Sequence, residues 1–366
     1  MDNSPTVLEI DSKAIQHNLR YFNSKLNSKT KLLVVIKAFA YGSDSVSIAS
    51  ILGKEKVDYL AVAYTNEGVV LREAGISLPI LVLHPQIENF ENIIDSNLEP
   101  NLYNFQTLQS FSKLVKEKNL NHYPVHIKIN SGMNRLGFKI NDLKKLKSSL
   151  IELRNLKIKS IYSHLAASED SQENKFTEQQ ISDFGQVSQN LIDVLSYKPL
   201  RHILNTSGII NYPEAQFDMV RLGIGFYGFG NDKLETQKLK NVCNLKTKIS
   251  QIQHIDKGET VSYNRKFKAL EHSKIAIIPL GYADGINRAL GNGKGYVIIN
   301  NQKAPIAGIV CMDIIMIDIT KIKCKEGDDV IVFNHQEHIL DFAKSTNTIP
   351  YEILTSISQR VRRKIV

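Results

Sequence analysis

The sequence predicts an α/β protein: an N-terminal (β/α)8 barrel of the TIM type over residues 1–234, then a mainly β domain over residues 235–366. Three observations carry that reading. Short apolar runs alternate with helix-periodic polar stretches from residue 30 to residue 230. The runs number eight. Beyond residue 235, strand-like runs follow one another with turns such as "GNGKG" between them. Alternating strands and helices imply a parallel sheet, and eight repeats over about 200 residues suit a closed barrel better than an open sheet.

Residues 5–11 are a candidate strand for the β domain. "SKAIQHNLRYFNSKL" then sets Ile15, Leu19, Phe22 and Leu26 on one helical face ahead of the first barrel strand. The eight runs are "KLLVVIKA", "DYLAVAYT", "PILVLHP", "EPNLYN", "YPVHIKINS", "LKIKSIYSHLA", "LRHILNTSG" and "MVRLGIGFYG", the fourth being the weakest. Between them, stretches such as "FQTLQSFSKLVKEK" and "FTEQQISDFGQVSQNLIDVLSY" repeat apolar residues at helical spacing. In the second half "LKTKISQIQHID", "ETVSYN", "KIAIIPLGYADG", "GYVIINNQ", "APIAGIVCMDIIMIDIT" and "DDVIVFN" read as strands with little helix among them. No low-complexity linker parts the halves, so they are expected to pack together.

Composition narrows the function. A hydrophobic fraction of 42% and a charged fraction of 23% suit a soluble globular enzyme. The net charge of +9 admits nucleic acid as a partner, but the basic residues are scattered through helical stretches, and none is expected. A positive surface suits small anionic ligands better. The one tight basic cluster, the C-terminal "QRVRRKIV", reads as a solvated end. The first residues show no basic n-region and no apolar h-region, and no apolar run reaches membrane-spanning length. A cytoplasmic protein without a membrane partner is therefore expected. Cys243, Cys311 and Cys324 are odd in number and form no CxxC, which argues against a disulfide framework and a zinc site. His335 and His338 have no third ligand nearby in sequence, so no metal is expected.

Active sites of such barrels gather at the C-terminal strand ends. The last polar residues of the runs are Lys37, Tyr64, His84, Lys128 with Asn130, His164, Asn205 with Thr206, and Arg221. Each alone fits a solvated loop; together they make a cationic mouth. Lys37 ends "VVIK", which otherwise reads as buried strand, and a lone ammonium there is costly unless it is used. "RLGIGFYGFG" carries G-x-G-x-x-G at Gly223, Gly225 and Gly228. A dinucleotide turn would need a helix straight after it and an acid ending the next strand, and the chain runs instead into "NDKLETQ" and the β region. A glycine-rich turn after the last barrel strands does suit a phosphate held on backbone N–H groups. No GxSxG, HExxH or Walker-type motif occurs. A strand-end lysine and a phosphate cradle together suggest pyridoxal 5'-phosphate (PLP), whose aldehyde needs an amine.

"VVIKAFAYGS", "NSGMNRLGF", "SHLAASED", "MVRLGIGFYG", "VSYNRKF", "LGYADG", "VCMD" and "PYEILTSISQRVRR" occur in the order found in the alanine racemases, which the chain resembles from about residue 5 to its end. The resemblance implies a two-base interconversion of L- and D-alanine, supplying D-alanine for peptidoglycan, by a head-to-tail homodimer. It implies that Lys37 binds PLP covalently and serves the D face. Tyr263 would serve the L face of the partner's site. Tyr41, Thr206, Gly223, Ile224 and Tyr351 would hold the phosphate, with Asn205 beside them and Ser207 replacing Thr206 if the alignment slips by one. Arg221 would face the pyridine nitrogen with His164 bonded behind it. Arg135 would contact the phenolic oxygen and place the substrate carboxylate, to which Met312 would offer a backbone N–H across the dimer. Lys128 matches a lysine often carbamylated in the family, supporting Arg135.

A free tyrosine, with a pKa of about 10, is a poor base near neutrality. The His164–Arg221 pair would favour its phenolate. An arginine at the pyridine nitrogen would disfavour ring protonation and suppress transamination. The chain departs from the family where Phe39 replaces an asparagine, Asn130 an aspartate and Ile314 a glutamine. These leave the preferred amino acid open. The alternatives are a broad-specificity or serine/lysine racemase and, less favoured, a non-catalytic PLP-binding protein, against which the β domain speaks. Arg221 and Tyr263 speak against a fold-related decarboxylase.

Overall fold

The computed structural model describes residues 4–366. A first strand, β1 (Val7–Ile10), is followed by β2 (Lys31–Val35), β3 (Tyr59–Val62), β4 (Ile80–Val82), β5 (Glu99–Leu102), β6 (Tyr123–Asn130), β7 (Phe138–Lys139), β8 (Leu156–Tyr162), β9 (Leu200–His202) and β10 (Met219–Leu222). Strands β10-β2-β3-β4-β5-β6-β8-β9 form a parallel sheet in that spatial order, with β7 attached to β6. Backbone bonds from Asp218 N to Arg201 O and from Arg221 N to Leu204 O, both 3.0 Å, join β10 to β9 and close the ring. All eight expected runs, the weak fourth included, become barrel strands.

The strands differ in what they bury. β3 is buried at every position, as a parallel strand covered on both faces should be. β6 and β8 bury polar residues as well, and the two-residue period sets His126 with Lys128, and Ser160 with Tyr162, on one side of their strands. Register then places Lys128 beside Tyr162 and Tyr162 beside His202. Asp11 caps the helix Ser12–Asn23 by accepting from Lys13 N (2.8 Å) and Ala14 N (2.9 Å). That helix buries Ile15, Leu19 and Phe22, while its buried Asn18 donates to the carbonyls of Phe226 and Lys240 where the two halves meet.

The second half contains β11 (Cys243–Lys248), β12 (Gln251–Ile255), β13 (Thr260–Val261), β14 (Phe267–Lys268), β15 (Ser273–Ile278), β16 (Tyr296–Ile299), β17 (Gln302–Pro305), β18 (Ile315–Asp318), β19 (Asp329–Phe333) and β20 (Arg362–Ile365). One sheet runs β17-β16-β19-β11-β1-β20, a second β12-β15-β18, and β13 pairs with β14. Strand β1 thus lies between β11 and β20 and carries the start of the chain into the β domain. One apolar core extends through both halves. No helix among the described residues is long and apolar enough to cross a membrane.

Four local expectations change. "LKTKISQIQHID" is not one strand but β11 and β12, in different sheets. "APIAGIVCMDIIMIDIT" turns back on itself: Ile306 bridges Ile317 and Ala307 N donates to Met316 O, leaving residues 308–314 as a loop. Two helices, Gln336–Ser345 and Pro350–Thr355, stand where little helix was expected; the first buries Ile339, Phe342 and Ala343 at helical spacing, and the second has proline in its first turn. The C-terminal basic cluster is solvated only in part: Arg360, Arg362 and Lys364 are exposed, but β20 pairs in parallel with β1 and the Arg363 guanidinium turns inward onto backbone carbonyls.

Candidate active site

Lys37 follows β2 directly, and the backbone after it is unusual. Ala38, Phe39, Ala40 and Tyr41 have φ of 53°, 55°, 51° and 54°, one turn of left-handed helix. For L-residues this costs roughly 1–2 kcal/mol each, so the turn stores about 4–8 kcal/mol. Strain of this size persists only where the surroundings over-determine it. Glu67 accepts from Ala38 N (2.6 Å) with one oxygen and from Ala63 N (2.6 Å) and Tyr64 N (3.1 Å) with the other. The Tyr41 ring is buried in a stack on Tyr227, 4.5 Å between centroids, with Tyr351 at 5.8 Å. Gly42 has φ +80°, and a Cβ there would sit 2.0 Å from the Leu354 carbonyl oxygen, so only glycine lets the turn end against that helix.

The turn delivers Lys37 into a cavity of about 690 Å³ at the C-terminal mouth of the barrel, also lined by Tyr41, Lys128, Arg135, His164, Asn205, Thr206, Ser207, Arg221, Gly223 and Tyr351. Tyr64 and His84 line it too, so every strand-end residue singled out above except Asn130 reaches the mouth. Asn130 accepts from Gly132 N (3.2 Å) and Asn134 N (2.9 Å), and so shapes the loop leading to Arg135. Ile224 is buried beside Gly223 without lining the cavity.

Four cations face this mouth. Burial, then the neighbouring Arg221, Arg135 and Lys37, bring the Lys128 ammonium down to about 7. Burial first and Arg135 second lower Lys37 as well, with Glu67 opposing them. Burial lowers Arg221 to about 10, still protonated at neutrality. Burial, reinforced by Arg221 and Lys128, holds His164 well below its usual value, so its imidazole is neutral. Among the described residues no carboxylate lines the cavity. Such a site is built for anionic groups.

Arg221 is fixed from behind. Its Nη1 donates to His202 Nδ1 (2.7 Å), and its Nη2 to His164 Nδ1 (2.9 Å) and to the carbonyls of Ser163 (2.8 Å) and Ile203 (2.9 Å). Both Nη atoms are thus spent, and Nε has no partner among the described residues. Because an arginine only donates, both imidazoles must accept at Nδ1 and carry their proton on Nε2. His202 Nε2 then donates to Ser160 Oγ (2.8 Å), Ser160 to His126 Nδ1 (2.6 Å), and His126 Nε2 to Glu99 (2.8 Å). Every donor in this buried chain points away from Arg221 and toward one carboxylate. Burial pushes Glu99 up and is the largest single influence, but the His126 bond and charge, Lys159 and the Tyr59 hydroxyl together outweigh it and keep the acid below its ordinary value. Sequence reasoning missed His202, Ser160, His126, Glu99 and Glu67, although the alternation in "HIKIN" and "SIYSH" was a visible sign of polar residues facing inward.

The mouth fits PLP on three counts. A Cβ at Gly223 would fall 2.9 Å from Tyr41 Oη, so the glycine leaves a backbone-lined space between Tyr41 and Thr206 that suits a phosphate. Thr206 Oγ1 accepts from Gly223 N (3.0 Å) and Gly225 N (3.4 Å), fixing that turn. Across the same cavity an amine and a pre-aligned guanidinium face the same space.

Tyr263 and Met312 do not line this cavity. Both are exposed on the β domain, Tyr263 at 70% and Met312 at 54%. Their loops are joined, since Ser262 Oγ donates to Ile309 O (3.1 Å) and accepts from Ile309 N (2.9 Å). Ile314, exposed in the same loop, meets no group of the mouth.

The family model described as "Alanine racemase, N-terminal domain" matches residues 10–230, and "Alanine racemase, C-terminal domain" matches residues 242–365. The chain is 37% identical to the alanine racemase of Thermodesulfovibrio yellowstonii, over 98% of this chain and 97% of that one. Among solved structures it is similar to the alanine racemase of Clostridium difficile 630 (TM-score 0.93, 34% identity, covering 100% and 97% of the two chains). It is also similar to that of Bartonella henselae with covalently bound pyridoxal phosphate (TM-score 0.88, 31% identity, 99% and 100%). The two-domain match, the barrel and the cationic mouth agree: the chain belongs to the alanine racemase family.

Proposed function

We propose that the protein interconverts L- and D-alanine with PLP as cofactor, working as a homodimer whose β domains complete each other's barrel mouths. The observation that carries this reading is Lys37, placed by a strained turn in a mouth that also holds a glycine-walled cradle and an arginine with its Nε free. When bound, PLP supplies an electron sink that makes the substrate's α C–H acidic. Lys37 holds the cofactor, and its Nζ takes or returns the α-proton on the D face; its lowered pKa favours the neutral amine this needs. The partner subunit's Tyr263 does the same on the L face.

Tyr41, Thr206, Gly223, Ile224 and Tyr351 hold the phosphate, with Asn205 alongside. Arg221, whose Nη atoms are held by His202, His164 and backbone carbonyls, would present its remaining Nε–H to the pyridine nitrogen, and the neutral His164 behind it adds no further charge. Arg135 places the phenolic oxygen and the substrate carboxylate, and the partner subunit's Met312 adds a backbone N–H. Lys128, whose ammonium is brought down to about 7, is suited to add CO2 at its neutral amine and release a proton; the carbamate anion would then sit among Arg135, Arg221 and Lys37 and relieve their mutual repulsion. We place this activity in the cytoplasm, supplying D-alanine for peptidoglycan.

The test is incubation with L-alanine in deuterated water. Loss of optical rotation together with α-deuterium uptake is expected, and Lys37→Ala abolishes both along with the cofactor's visible absorbance. A wild-type protein that neither takes up PLP nor exchanges the α-hydrogen overturns the proposal. Exchange of another amino acid while alanine is inert overturns only the substrate.

A further inference from the structure

Arg363 lies on β20, far in sequence from the lysine turn. A guanidinium has five N–H groups, and here all five end on backbone carbonyls. Nε donates to Ser43 (3.0 Å), Nη2 to Gly42 (2.8 Å) and Ile357 (2.7 Å), and Nη1 to Val361 (2.5 Å) and Ser358. No carboxylate pairs with it among the described residues. The fork therefore ties two stretches together: residues 42–43, which end the left-handed turn, and residues 357–361, which lead into the last strand. The Phe39 ring, at the middle of the turn, lies 5.4 Å from the Arg363 Cζ, so the turn also packs on the cation from its side.

The other end of the turn is held by the opposite charge. Glu67 accepts the Ala38 N–H at the point where the chain leaves Lys37. A carboxylate from the barrel thus fixes the entry of the turn and a guanidinium from the β domain fixes its exit. Released at either end, four L-residues with φ near +50° would relax toward the right-handed or extended regions. The Lys37 backbone would move with them. An ammonium has three donors and no fork, so lysine at 363 could not hold both stretches.

We infer that Arg363 is a positioning residue for Lys37: through the carbonyls of Gly42 and Ser43 and the ring of Phe39, the C-terminal strand clamps the strained turn within the same chain. The inference rests on the racemase reading only where it says that Lys37 carries the cofactor; the clamp itself belongs to the ligand-free protein. It also gives Phe39, the residue that departs from the family at the centre of the motif, a specific contact in this chain.

Hydrogen exchange of the full ligand-free chain tests it, because Ala38, Ala40, Gly42 and Ser43 all donate hydrogen bonds in or at the turn. Arg363→Met and Arg363→Lys are expected to speed exchange over residues 38–43 by at least about tenfold, and Phe39→Asn by a few-fold, with strands β3–β5 unchanged. After reconstitution the Arg363 variants should release PLP at least about tenfold faster and lose kcat with little change in KM for alanine. Wild-type exchange over 38–43 in Arg363→Met overturns the inference. If that variant exchanges fast everywhere, Arg363→Lys and Phe39→Asn decide, and wild-type turn exchange in both overturns it. A faster turn in the variants of a protein whose wild type takes up no PLP overturns the racemase reading and leaves the clamp standing.

Discussion

The barrel mouth and the exposed rim of the β domain both carry a proposed base beside left-handed backbone, yet they treat it in opposite ways. Lys37 precedes four residues of positive φ that are gripped by Glu67, Tyr227, Tyr351 and Arg363, and its side chain faces inward among other cations. Tyr263 stands between Ser262 (φ 75°) and Asn264 (φ 55°), tied to the next loop through the Ser262 hydroxyl, and its ring meets solvent. Backbone order without side-chain partners is what a surface needs when its partner is another molecule. In the proposed dimer the mouth is a binding site furnished on one side, and the rim would supply the missing side of the partner subunit's mouth.

The strongest way to break that comparison is to separate the two halves genetically. Lys37→Ala and Tyr263→Phe should each lower racemisation by roughly a thousandfold or more, while Tyr263→Phe keeps bound PLP. Mixing and re-equilibrating the two inactive variants should then restore about a quarter of wild-type activity, because half of the dimers are mixed and each mixed dimer has one intact site. If Tyr263 serves its own chain's mouth, the mixture stays dead.

A second contrast is electrical: the mouth crowds cations together, whereas Tyr263 at the rim is solvated. Lys128 makes the cost measurable. Its folded pKa is about 7 against about 10.4 unfolded, so between those values the unfolded chain binds more protons and stability rises with pH. The penalty is fully present below pH 7, on the order of 4 kcal/mol, and fades by about 1.4 kcal/mol per unit toward pH 10. Lys128→Met in ligand-free protein and CO2-free buffer should therefore be the more stable form at pH 6–7 and lose that advantage by pH 10, as read by denaturant midpoints. Bicarbonate should stabilise the wild type and leave the variant unchanged. Equal midpoints at pH 6 would remove the electrostatic case for carbamylation.

The same contrast explains what the sequence could disclose. Barrel strands are legible because each must bury apolar residues over a fixed short length, so even "EPNLYN" stood out between two helices. Strand-end polar residues are legible because the topology sends them to one mouth. Arg363 and Glu67 were not, since their partners are carbonyls and amides, which every residue possesses and no motif records. The β domain was harder for a related reason: "APIAGIVCMDIIMIDIT" is largely apolar, with only Asp313 between two apolar runs, and the pairing of Ile306 with Ile317 reveals the fold-back that puts Met312 on a loop. His202 was hidden because its partners, the Arg221 guanidinium and the Ser160 hydroxyl, come from other strands.

That histidine leads to the smallest effect. The chain from Arg221 to Glu99 runs through Ser160, whose hydroxyl accepts a hydrogen bond from His202 Nε2 and donates one to His126 Nδ1. Ser160→Ala leaves two buried ring nitrogens unpaired, which should cost about 2–4 kcal/mol of stability with an unchanged denaturant slope. Racemisation should fall by less than about tenfold, because Arg221 keeps His164 and two carbonyls. Glu99→Gln is the sharper companion: an amide oxygen still accepts from His126, so the ring tautomers read by nitrogen NMR should stay put. Glu99→Leu removes the acceptor and should disturb His126 first and Arg221 last. A tautomer change at His202 in Glu99→Gln would mean that the carboxylate's charge, rather than the direction of the donors, sets the chain behind Arg221.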